Sequence, residues 1–163
     1  MKELPELHRR TLKDLQALVD RVAEVAHFPH RIKVGWMPIL LGERIPIPNT
    51  LDPWNVAMSS EDPPEIFFGG MAFFFPDMEL CSIIAHEVGH LENPEWHGPQ
   101  GELQADAFGA KLGYRDSSLA ALQRADSVYS KLGMDMNEGG GSHPGANVRI
   151  RALLEMGTGE KAA

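Results

Sequence analysis

His86-Glu87-Val88-Gly89-His90 gathers two imidazoles and a carboxylate within little more than one helical turn of chain. In a helix of 3.6 residues per turn, His86 and His90 stand one above the other on a single face, where both can reach one metal ion. Glu87 lies beside that face. A carboxylate there can hold and deprotonate water at a metal without being a ligand, as zinc-dependent peptide hydrolysis requires. Eleven residues separate His90 from Glu102, which opens the segment Glu102-Leu103-Gln104-Ala105-Asp106. That segment reads as the start of a second helix, able to fold back and complete a His₂Glu zinc site. Asp106 falls one turn after Glu102 on the same face, suited to accept the outer N–H of a ligating histidine and so fix its tautomer. The chemistry expected is that of a metallopeptidase holding one Zn2+ per chain.

The elements that must position these groups are legible in outline. Pro76 and Asp77 give a start for the first ligand helix and Asn93-Pro94 its end, with Ile84, Val88 and Leu91 as a buried apolar stripe. Gly89, inside that helix, predicts close approach of another backbone near the metal. Glu95 to Gly101 reads as a reversal, Glu102 to Leu112 as the second ligand helix, and Gly113 as its C-cap. A further helix is expected from Asp116 to about Leu132, buried through Leu119, Leu122, Val128 and Leu132. A last one begins at His143-Pro144, with Val148, Ala152 and Leu153 inward. At the other end of the chain, Leu4, Leu7, Leu12, Leu15, Leu18, Val19, Val22 and Val25 follow helical spacing from about residue 5 to 26. Between the helical regions, Ile32, Val34 and Trp36 alternate as in a half-buried strand. Trp54 to Ser59 and Glu65 to Phe68 supply two more short strands. The fold class expected is α+β: one domain over residues 1–163, with an N-terminal helix (about 5–26), a catalytic core (about 32–156) and a frayed tail (157–163).

Composition narrows the function. The chain has 163 residues, 43% of them hydrophobic, and a net charge of -8. The acidity, without a cluster of Lys and Arg, argues against nucleic acid as a partner. A single cysteine, Cys81, can form no internal disulfide, and no basic segment followed by an apolar run opens the chain, so a cytoplasmic location is expected. No apolar stretch approaches the roughly 18 to 20 residues of a membrane-spanning helix. Cys81 reads as a small buried helix residue and not as a thiolate ligand. His8 and His97 read as surface residues, His97 with a possible place on the rim of the cleft. The oligomeric state is not legible.

Three ordered motifs, His86-Glu87-Val88-Gly89-His90, then Glu102-Leu103-Gln104-Ala105-Asp106-Ala107-Phe108, then Ser142-His143-Pro144 with Arg149-Ile150, resemble the CAAX-prenyl-protease and heat-shock-protease family of gluzincins. The likeness is strongest to their short soluble relatives, the minigluzincins, and runs from Trp54 to about Leu154. It implies a zincin-like domain in which a small mixed sheet, with an edge strand over the cleft, packs on several helices including the His-Glu-x-x-His helix. It also implies zinc ligands His86, His90 and Glu102, Glu87 as general base and acid, and Asp106 orienting a ligand. His143 would help stabilise the oxyanion, and Arg149 would support that site. Trp54, Asn55, Val56 and Ala57 would lie in the edge strand that binds an extended peptide or unfolded protein. Two departures limit the likeness. The membrane-spanning helices of some family members are missing, so processing of prenylated proteins is not carried over. Val56 separates Asn55 from Ala57, which the family has adjacent, and this leaves the strand register open.

Two other functions remain open from sequence: a non-catalytic zinc-stabilised domain that binds a peptide or partner, and a regulatory peptidase that cuts one repressor-like protein. Glu87 argues against the first, since a structural zinc site needs no base. Ser142-His143-Pro144 followed by Arg149 argues against the second. Gly139-Gly140-Gly141, just before Ser142-His143, is either a hinge that carries His143 or a plain loop.

Overall fold

The computed structural model describes residues 6–37, 56–131, 133, 135, 137 and 144–157. The order of elements is α1 (Leu12–Ala26), β1 (Lys33–Trp36), β2 (Ala57–Glu61), β3 (Pro64–Phe68), α2 (Asp77–Glu92), α3 (Gly98–Gly109), α4 (Arg115–Lys131) and α5 (Ala146–Glu155). A 3₁₀ turn (Gly70–Phe74) precedes α2, and a π turn (Ala110–Tyr114) joins α3 to α4. The architecture is α+β, with a small mixed sheet, as the sequence leads one to expect.

The sheet runs in the order β1-β3-β2. β3 pairs in parallel with β1, Val34 opposite Ile66, and antiparallel with β2, Ser59 opposite Ile66. Of the strand alternation expected before β3, Ile32 is buried and Val34 half-buried, but Trp36 is 41% exposed and stacks at a tilt on Phe73. The second strand is shifted from its expected span. It starts at Ala57, after Val56 has turned into the core at 1% exposure, and runs on to Glu61. Five residues suffice for this strand because it need match only the five of β3.

The N-terminal helix starts later than the apolar spacing predicts, at Leu12. Thr11 and Asp14 form a reciprocal capping box, and this fixes the first turn more firmly than the weak continuation of apolar residues upstream. Its buried stripe is therefore Leu15, Val19 and Val22, while Leu7 and Val25 are exposed. Arg10 ties the start of α1 to the start of α2, bonding the Phe75 carbonyl at 2.7 Å and Asp77.

Around α2 the other elements are wrapped. It contacts α1, α3, α4 and β2, so it is buried on nearly every side and not on the single stripe of Ile84, Val88 and Leu91. Leu80, Cys81, Ile84, Ala85 and Val88 are fully enclosed, and small side chains let the neighbours close in. Gly89 serves such an approach, though to a side chain and not a backbone: a Cβ there would stand 3.1 Å from Phe108 of α3. α3 begins at Gly98, within the stretch expected to be a reversal, because Gly101 can lie against the Trp96 backbone, where a Cβ would be only 2.5 Å from the carbonyl carbon. Gly113 has φ +100, the left-handed conformation expected of a helix stop, and α4 resumes directly after it. α5 starts at Ala146 and turns Ala146, Arg149 and Leu153 inward. Val148, expected inside, is 52% exposed. Among the described residues, no helix is long and apolar enough to cross a membrane.

Candidate metal centre

Two helices supply the polar centre. On α2, His86 and His90 are one turn apart, and their rings meet edge to face with centroids 4.8 Å apart. On α3, Glu102, Ala105, Asp106 and Gly109 form the face turned to α2. The sequence spacing therefore brings Glu102 opposite both histidines. His86 Nε2 is 3.2 Å from His90 Nε2 and 3.2 Å from Glu102 Oε2, and His90 Nε2 is 3.3 Å from Glu102 Oε1. Donor atoms held tetrahedrally by zinc at about 2.0 to 2.2 Å stand about 3.3 Å from one another. The three groups already have that spacing.

A second layer fixes the first. Asp106 Oδ1 lies 2.9 Å from His86 Nδ1. A carboxylate beside that nitrogen keeps the proton on Nδ1 and leaves the Nε2 lone pair directed at His90 and Glu102. Arg149, brought in by α5, grips Asp106 through Nε and Nη2, and Nη2 also comes within 3.3 Å of His86 Nδ1. Arg149 thus braces the carboxylate that orients His86.

The electrostatics favour a cation between these groups. Burial alone pulls the His86 imidazolium down, but hydrogen bonds to Asp106 and Glu102 outweigh it and raise its pKa to about 9. Burial pushes the Asp106 carboxyl up, yet the Arg149 charge and the His86 hydrogen bond prevail and hold it below the usual carboxylate range. Arg149 already offsets Asp106, and the buried Glu102 carboxylate facing two imidazoles calls for positive charge, which a proton or a metal can supply. Donor type, number and spacing all fit zinc. Among the described residues, His86, His90 and Glu102 are the group able to hold a metal ion.

Glu87 sits next to this set and outside it. It is 8% exposed, and burial raises its pKa against the opposing pull of His86 and His90. Ser59 Oγ donates to its Oε2 at 2.9 Å. Sequence reasoning passed over Ser59. Its signal was strand alternation, which turns Ala57 and Ser59 to one face, but only once the register is known.

A cavity of about 260 Å³ opens at the centre, bounded on one side by Ala57, Met58 and Ser59 of β2 and on the other by Ala121, Leu122 and Ala125 of α4. Of the substrate-binding residues expected from the resemblance, Ala57 borders it, whereas Val56 is packed in the core. Trp54, Asn55 and His143 lie outside the described residues, as does the glycine run 139–141. Cys81 is buried and takes no part, and His97 is exposed.

Comparison of the chain with protein-family models, curated proteins and solved structures finds no match in any of the three.

Proposed function

We propose that the chain is a zinc-dependent endopeptidase of gluzincin type, with a zincin-like domain and affinity to the minigluzincins. The observation that carries this is the separation of roles at one cavity: three donors converge on a point, and a fourth acidic group, Glu87, lies beside them without joining. A structural zinc site would have no use for that carboxylate. His86, His90 and Glu102 would hold the zinc. When bound, zinc supplies Lewis acidity, which polarises a carbonyl and brings the acidity of water into the neutral range.

The rest falls to the protein. Glu87, buried beside the three donors, takes a proton from water and returns it to the departing amine. Asp106 and Arg149 hold the His86 ring and its tautomer through the cycle. β2 pairs with β3 alone among the described strands, so its outer edge offers main-chain donors and acceptors to an extended peptide or unfolded protein. His143, as the resemblance implies, would add hydrogen bonding to the oxyanion.

Digestion of an unfolded protein substrate by wild type and Glu87→Gln, with zinc measured in both, tests the proposal. Glu87→Gln should keep about one zinc per chain and lose activity by at least about 10²-fold. Loss of zinc in Glu87→Gln, or undiminished hydrolysis, would show that Glu87 is not the base.

A further inference from the structure

The edge strand and the base are joined by a contact that metal binding does not need. Ser59 belongs to β2, and its side chain is turned toward α2 while Met58 and Ser60 on either side are exposed. Antiparallel pairing with Ile66 of β3 fixes that orientation, since Ile66 is fully buried and its register cannot slip without exposing it. From this position Ser59 Oγ donates to Glu87 Oε2 at 2.9 Å. A carboxylate can only accept, so the hydroxyl proton lies between the two oxygens and marks Oε2 as the engaged one.

Glu87 has three side-chain torsions, and a base that must meet a proton within hydrogen-bond reach benefits from losing that freedom beforehand. We propose that Ser59 is a positioning residue for Glu87, pinning Oε2 so that Oε1 is the oxygen that accepts and returns the proton. No bond of Ser59 breaks: water gives its proton to Oε1, the amine later receives it, and the Ser59 O–H stays intact. Because Ser59 lies on the strand whose outer edge would carry the substrate backbone, a peptide that orders this edge also orders the base. This inference rests on the peptidase proposal.

The test compares wild type, Ser59→Ala and Ser59→Thr, all loaded with zinc. In Ser59→Ala, kcat should fall about 10-fold with KM within about twofold and zinc content unchanged, and Ser59→Thr, which keeps the hydroxyl on a strand-favouring side chain, should restore kcat to within about twofold. Crystal structures of wild type and Ser59→Ala supply a readout that needs no turnover: the Glu87 carboxylate should leave its wild-type position in the alanine variant. Unchanged kcat in Ser59→Ala overturns the inference, as does an unmoved Glu87. A loss carried by KM also overturns it and makes Ser59 a substrate contact. A wild type that binds zinc but cleaves no peptide refutes the peptidase proposal instead, and the position of Glu87 in Ser59→Ala then decides the role of Ser59 alone.

Discussion

Of the arginine–carboxylate pairs that brace the helices around α2, two differ sharply in what surrounds them. Arg124 of α4 meets Glu79 of α2 in a two-pronged contact, with the arginine side chain 33% exposed. Arg149 of α5 meets Asp106 of α3 in a similar contact, but both side chains are almost wholly enclosed and Asp106 passes the interaction on to His86. The first pair is open to water on its arginine side, though Glu79 is itself buried, and it ends at its two members. The second is screened little and continues into the group able to hold a metal ion. The same chemistry is therefore a brace in one place and, in the other, a control on which nitrogen of His86 is free.

The sharpest way to break this contrast is Arg149→Met. It leaves the Asp106 carboxylate buried without its counter-charge, which should cost about 3 to 5 kcal/mol in denaturant unfolding with chelator present. The deficit should shrink on adding zinc, because charge at the neighbouring ligands compensates Asp106 in part. An equal deficit with and without zinc would detach Arg149 from the site. At the other end of the scale, Arg124→Met should cost less, about 1 to 3 kcal/mol, since Glu79 is buried but its arginine partner is partly exposed and water can reach the vacated place. Its zinc affinity should match wild type in the same titration. A changed affinity would mean that the α2–α4 brace also shapes the centre.

The same contrast explains what the sequence could disclose. His86, His90, Glu102 and Asp106 were readable because each pair is one helical turn apart, and the helix period converts that spacing into a shared face. Arg149 meets Asp106 across 43 residues of chain, and no local period relates them. Its presence near the site was expected from a resemblance, but its partner emerged only from the packing of α5 on α3. Ser59 was missed for another reason: a strand's side chains change face with every one-residue shift, and the second strand was expected too early. The capping box at Thr11 and Asp14 was legible in principle, yet Leu4 and Leu7 drew the expected helix toward the N-terminus. On α2, Ile84, Val88 and Leu91 did mark a buried face. The other faces are buried as well, because small residues such as Cys81, Ser82 and Ala85 admit close neighbours without announcing it through hydrophobicity.

Zinc stoichiometry bears most directly on the central claim that α2 and α3 together build one metal centre. Wild type and Glu102→Gln, stripped with chelator and reloaded, would be compared by equilibrium dialysis and elemental analysis. Wild type should retain about one zinc per chain, and Glu102→Gln should bind at least about 10²-fold more weakly, with folding checked by circular dichroism. A folded wild type that retains no zinc, or a Glu102→Gln variant that binds it as tightly as wild type, would contradict the site.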